Sequence, residues 1–213
     1  MSEYEIEPIP GLPGIPPPGE RILWQGSPDW RALARTAFHT RLIAGYFALL
    51  LGWAILAAAS DGMGDLTGVI TTAVLGVMVV ILLHLLAWGS ARTTIYTLTN
   101  RRIVMRIGIA VPKCINLPLG MIASVDLAAR EDGTGDLPLM LIGAPKLGFL
   151  ALWPHARPWE LVKPQPMMRS VPDAATVAAL VARTCLAANP SGQLGLTEAA
   201  SDAIPSYGEV AAA

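Results

Sequence analysis

Two apolar runs, residues 42–59 and 66–88, stand almost back to back, and the only charged side chains between them are Asp61 and Asp65. At about 1.5 Å of rise per helical residue, runs of roughly 18 and 23 residues reach across a hydrocarbon core of about 30 Å. The expectation is a two-span transmembrane helical hairpin covering 42–88, to which everything else is attached. Arg31, Arg35 and Arg41 precede the first run, Arg92, Arg101 and Arg102 follow the second, and the connection has no basic residue. Lys and Arg beside short loops resist translocation. Both termini are therefore expected on the cytoplasmic side.

The rest of the chain fits that reading. Of 213 residues, 53% are hydrophobic and 15% charged, with a mean hydropathy of +0.50. About 120 residues follow the hairpin, enough for one small domain. A net charge of -1 gives no global footprint for nucleic acid. The first forty residues are acidic and proline-rich, unlike a cleavable signal, so the first span is read as a signal anchor. Cys114 and Cys185 lack metal-ligand spacing and are read as ordinary thiols.

The chain divides into segments. Residues 1–19 carry six prolines from Pro8 to Pro18 and read as extended chain, either a solvated tail or a preorganised strip for a partner. Residues 20–41 form a pre-membrane segment, in which 20–26 reads as a short strand and Trp30 suits the headgroup region. From residue 91 the periodicity drops to two. Strands are expected at 94–99 and 103–107 around a turn at Asn100, then at 113–117, 122–128, 137–142 and 147–153, with a turn at 132–135. A helix at 173–188, capped by Asp173, closes this domain of 91–189. Residues 190–213 read as a flexible tail.

The order of hairpin, then Tyr96-Thr97-Leu98-Thr99-Asn100-Arg101-Arg102-Ile103-Val104 leading to Gly108, then short strands and a last helix, resembles the bacterial PH-like membrane proteins. Glu20-Arg21-Ile22-Leu23-Trp24-Gln25-Gly26 is similar to the segment those proteins carry before their spans. The resemblance implies a membrane α+β protein: a hairpin followed by a cytoplasmic PH-like β sandwich or barrel with a C-terminal helix. A narrower likeness rests on Glu7-Pro8-Ile9-Pro10-Gly11-Leu12-Pro13, on Leu152-Trp153-Pro154-His155-Ala156-Arg157-Pro158-Trp159, and on Lys163-Pro164-Gln165-Pro166-Met167-Met168-Arg169. These stretches look like the PuhB-type photosynthetic complex assembly proteins of purple bacteria. That resemblance implies a factor that assembles the reaction centre with its core light-harvesting antenna in the inner and intracytoplasmic membrane. It supplies no catalytic residues.

Several residues invite a role. Ala44, Ala48 and Gly52, and Gly68, Thr72 and Gly76, recur every four positions; they pack the two spans on each other, or receive a helix from another protein or a second copy. His84 is an ionisable group inside the second span, near Trp88. It can hydrogen-bond to the other span or to headgroups, contact a client helix, or, given the resemblance, ligate the magnesium of a bacteriochlorophyll. His39 reads as interfacial, and His155 as a loop residue far from any metal partner. Trp153, Pro154 and Trp159 form either a bridge to the last helix or a partner-binding ridge. Glu131, Asp132 and Asp136 fall in an expected turn. The glycines at 62, 64 and 68 follow no strand, which rules out a dinucleotide fingerprint. With neither GxSxG nor HExxH in the chain, a non-catalytic protein is expected, the assembly factor that the resemblance implies or, as alternatives, a generic PH-like membrane module in lipid or membrane organisation or a bacteriochlorophyll carrier.

Overall fold

A computed structural model of the chain describes residues 9–60, 66–109, 111–143, 148–161 and 164–188. Expectations for residues 1–8, for the connection at 61–65, for Lys163 and for the tail at 190–213 lie outside these. In chain order, the first half contains β1 (Ile22–Gly26), α1 (Trp30–Thr36), α2 (Thr40–Ser60), α3 (Thr67–Thr93), β2 (Ile95–Thr99) and β3 (Arg102–Ile107). Then come β4 (Lys113–Pro118), β5 (Ile122–Val125), β6 (Ala128–Ala129), β7 (Gly135–Leu141), α4 (Phe149–Leu152), β8 (Met167–Val171) and α5 (Ala174–Ala188).

The two apolar runs are α2 and α3, of 21 and 27 residues, roughly 31 and 40 Å long. Only 6% of each apolar window is buried, whereas the core helix of a soluble protein would be mostly covered. Both helices are long and apolar enough to cross a membrane. Where they meet, Gly76 stands against Phe47: a methyl added there would lie 3.0 Å from the Phe47 Cβ. α3 continues past the expected end at residue 88 to Thr93; Ala91 packs with Leu33 and Ala34 of α1 instead of the helix ending at an interface.

Two antiparallel sheets follow. The first has the order β1-β2-β3-β4; in the second, β7 pairs with β5, β6 and β8. Alternation places Tyr96, Leu98, Ile103, Met105 and Ile107 in the core, with Leu137 and Leu139 from the second sheet. Val177, Val181 and Cys185 of α5 complete that core, as the single apolar face of that helix requires. Burial raises the Cys185 thiol to about 11, so it remains an unreactive core group.

The sheets redraw the expected segments. β1 pairs with β2, so the pre-membrane segment joins the β domain, which is built from chain on both sides of the hairpin. The two stretches that carried the broader resemblance form one tie. Arg102 donates to both carboxylate oxygens of Glu20 at 2.8 and 3.0 Å. The Asn100 side chain donates to the Gly19 carbonyl at 2.9 Å and accepts from the Arg21 amide at 2.9 Å. Burial alone would raise the Glu20 carboxyl; Arg102 and the Thr99 hydroxyl outweigh it and hold the group below its usual range.

Residues 9–19 are not uniformly extended. The Leu12 amide turns back to the Ile9 carbonyl and the Glu20 amide to that of Pro17. Leu12 is buried, and the Gln25 side chain donates to Pro10 at 2.7 Å. Gly11, at φ 85, has room for no side chain, since a Cβ would meet Ile95 at 2.6 Å. This part of the proline-rich segment is laid on the chain's own sheet.

Four further expectations are corrected. The strand expected at 147–153 is a helical turn: Trp153 N–H returns to the Phe149 carbonyl at 3.0 Å, and Leu152 turns inward while Leu150 is 89% exposed, a helical and not an alternating pattern. The strand expected at 122–128 breaks between β5 and β6. Strand β8 was not anticipated, because all five of its residues are buried and a strand covered on both faces shows no alternation. Asp136 lies in β7 rather than in the turn, accepting from the Ser170 amide at 2.7 Å and pairing with Arg130.

Candidate functional site where the hairpin meets the sheets

Asp29 caps α1, its carboxylate accepting from the Ala32 amide at 2.7 Å. This short helix packs Leu33 and Ala34 against Ala87 and Ala91 of α3, where two alanines one turn apart permit close approach. Its own amide-side anchor is on β8, where Asp29 N–H donates to the Ser170 carbonyl at 2.8 Å. Thus α1 is a wedge between the base of the hairpin and the second sheet. Phe38, just beyond it, meets the Trp153 ring edge-on at 5.4 Å.

A buried polar chain runs through the same joint. The His155 ring is fully buried, with Nδ1 2.7 Å from the Tyr96 hydroxyl and Nε2 3.1 Å from that of Thr94. The Tyr96 oxygen already accepts from the Arg169 amide at 3.0 Å, so its proton goes to Nδ1. The network therefore assigns the Nε2–H tautomer, which donates to Thr94. Arg169 in turn donates to the carbonyls of Pro154 and Thr36, each at 3.0 Å, and so caps the last turn of α1. Burial, aided by the Arg169 charge, pulls His155 down to about 3. Burial likewise pushes the Tyr96 phenol up. Both groups are neutral at ordinary pH, and their role is to lock α3, α1 and β8 together. The sequence reading of His155 as a loop residue missed this; its partners lie 59 and 61 positions away.

Beside the joint, Trp30, Arg31, Arg35, Thr40, Arg41 and His84 line a cleft of about 490 Å³. Three basic residues expected to flank the membrane thus converge with the histidine of α3. His84 donates from Nδ1 to the Val80 carbonyl at 2.8 Å. Arg31 lies over the Trp30 ring at 5.3 Å, and Arg35 pairs with Asp132 at 2.9 Å. The Thr134 hydroxyl and amide, with Arg35, hold the Asp132 carboxyl below its usual range.

A backbone-anchored His84 has the second contact common among metal-ligating histidines. Yet three guanidinium groups on its walls suit an anion better than the broad apolar ring of a bacteriochlorophyll. Among the described residues, no group of three or more His, Cys, Asp or Glu is placed to hold a metal.

The remaining expected site residues are dispersed. Ala44, Ala48, Thr72 and Gly76 line an apolar groove of about 270 Å³ between α2 and α3. Gly52 and Gly68 face open space, so that one of the three residues in each stripe lies outside the contact between the two helices. Trp88 is half-exposed beneath Arg92, at 5.6 Å. Of the residues expected to form a ridge, Pro154 is buried, Trp153 packs on Phe38 while 49% exposed, and Trp159 stands 93% exposed at φ 67. Arg102 is bound to Glu20, and the five residues of β2 separate it and Arg101 from the end of α3.

A helical hairpin rooted in two antiparallel sheets closed by a last helix defines a class, and sequence comparison agrees. The chain belongs to the bacterial PH domain family (bPH_2), whose model matches residues 40–184. A relative from Rhodobacter capsulatus, described as "Uncharacterized 23.7 kDa protein in puhA 5'region", is 36% identical over 190 residues, covering 87% of this chain and 88% of its own. No solved structure matches the chain.

Proposed function

We propose that this chain is a non-catalytic assembly factor for the photosynthetic reaction centre and its core light-harvesting complex. In this reading α2 and α3 cross the inner and intracytoplasmic membrane, and both termini and the β domain are cytoplasmic. The client class is supported by the relative whose description places it in the puhA region, a photosynthesis gene region. The mode of action is supported by the buried Thr94-His155-Tyr96-Arg169 joint, which couples the hairpin rigidly to the sheets. A factor so built holds the membrane-embedded and cytoplasmic parts of a client subunit in one fixed geometry. Holding two subunits this way raises their effective concentration for one another. Trp159, large, rigid and exposed, is the side chain best suited to anchor a client's cytoplasmic end.

Cells lacking the chain are expected to accumulate reaction centre at less than about half the normal level, and restoring the wild-type chain to recover it. A W159A chain present at normal abundance is expected to recover it only partly, since loss of an interface tryptophan typically costs about 2 kcal/mol or more. Full recovery by W159A would remove Trp159 from the interface. A normal reaction-centre level without the chain would contradict the assembly reading itself.

A further inference from the structure

The arginine-lined cleft and the apolar groove share two of their walls, Ala44 and Val80. They are therefore one continuous depression, basic at the α1 end and apolar between α2 and α3. We propose that it is a binding site for an anionic phospholipid, with the phosphate among Arg31, Arg35 and Arg41 and an acyl chain along the groove.

Each part of the depression matches a part of such a lipid. Guanidinium groups present several donors to phosphate oxygens and remain charged at any physiological pH. Arg35 shares its charge with Asp132, and Arg31 and Arg41 pair with no carboxylate among the described residues, so the head region keeps a net positive balance. Thr40 begins α2, a helix of 21 residues, whose amino end adds partial positive charge. Because His84 donates Nδ1–H to Val80, Nε2 is the ring atom left to meet a headgroup hydroxyl. Below, Ala48, Leu51, Ala73 and Val77 form walls without charge, which would receive a hydrocarbon chain. Basic pockets between membrane helices on the cytoplasmic side are a recurrent way of holding anionic headgroups. The site stands apart from the β domain core, and lipid held there would brace α1 against both helices.

The inference rests on the membrane-spanning reading, which is checked first: the full chain must resist extraction of membranes by alkaline carbonate. Release by carbonate would refute that reading and the lipid site with it. If the chain resists, purified full-length protein in mild detergent is titrated with phosphatidylglycerol, phosphatidylcholine or inorganic phosphate, and retained molecules are counted by native mass spectrometry. The expected result is one tightly retained phosphatidylglycerol, with phosphatidylcholine held about tenfold less well. An R31Q/R41Q chain should lose about tenfold in phosphatidylglycerol retention, while the charge-matched R21Q/R183Q chain retains it. Thermal unfolding of both variants identifies a folding defect; should R31Q/R41Q misfold, the single R41Q chain carries the test. Equal retention of both lipids, or of phosphatidylglycerol by cleft variant and wild type, would overturn the proposal. Phosphate binding that competes fully with lipid would replace it with a small-anion site.

Discussion

Replacing His155 with leucine is expected to lower the unfolding free energy by about 3–5 kcal/mol. The imidazole is fully buried and serves two hydroxyls, so leucine leaves Tyr96 and Thr94 without it, and each unsatisfied buried group costs about 1–3 kcal/mol. Glutamine keeps one donor and one acceptor on a shorter frame and should cost about half as much. Tyr96→Phe removes partners of both His155 and the Arg169 amide. Combining it with H155L should cost less than the sum of the two, because the substitutions break one shared bond. Urea unfolding in mild detergent, followed by tryptophan fluorescence, measures all of these. A loss under about 1 kcal/mol for H155L would show that the joint does not hold the domain to the hairpin.

Acidification from pH 7 to 5 is expected to destabilise the protein by about 2 kcal/mol through His155 alone. Its pKa falls from the ordinary 6.5 of a free imidazole to about 3 in the fold, so the unfolded chain takes up a proton that the native state refuses. The contribution is full above about 6.5 and is lost as the pH falls towards 3. The carboxyls of Glu20 and Asp132, also lowered in the fold, lose their contributions in a more acid window, beginning near their ordinary values of 4.5 and 3.8. The interval between pH 7 and 5 therefore isolates the histidine. H155Q should show a nearly flat stability there, crossing the wild-type curve as the pH drops. A wild-type curve already flat between pH 7 and 5 would mean that the ring takes up its proton over the same interval in the fold as in the unfolded chain.

The features legible in the sequence are those that repeat locally. Uninterrupted apolar runs announce α2 and α3, and alternation about Asn100 announces β2 and β3. The single apolar face of residues 173–188 announces α5. Features built from distant residues were hidden. α1 is seven residues long and reads as an interfacial stretch, although Asp29 three positions before Ala32 was an available capping signal. β8 shows no alternation because both its faces are covered, and the turn at 149–152 is too short for periodicity to separate helix from strand. His155 and the Arg31-Arg41-His84 cleft depend on neighbours about 40 to 60 positions away, which no local pattern encodes. Of the three glycines in the stripes only one was informative: Gly76 meets Phe47, while Gly52 and Gly68, in the same kind of spacing, meet nothing within 4 Å.

The most direct test of the assembly role is affinity isolation of the tagged full chain, in mild detergent, from cells that are forming photosynthetic membranes. Bound chains are identified by mass spectrometry against an untagged strain and an unrelated tagged two-span protein. Enrichment of reaction-centre or core-antenna subunits is the expected result, and it would also name the client. Their reproducible absence, even after crosslinking and with the tagged chain well recovered, would contradict the assembly role.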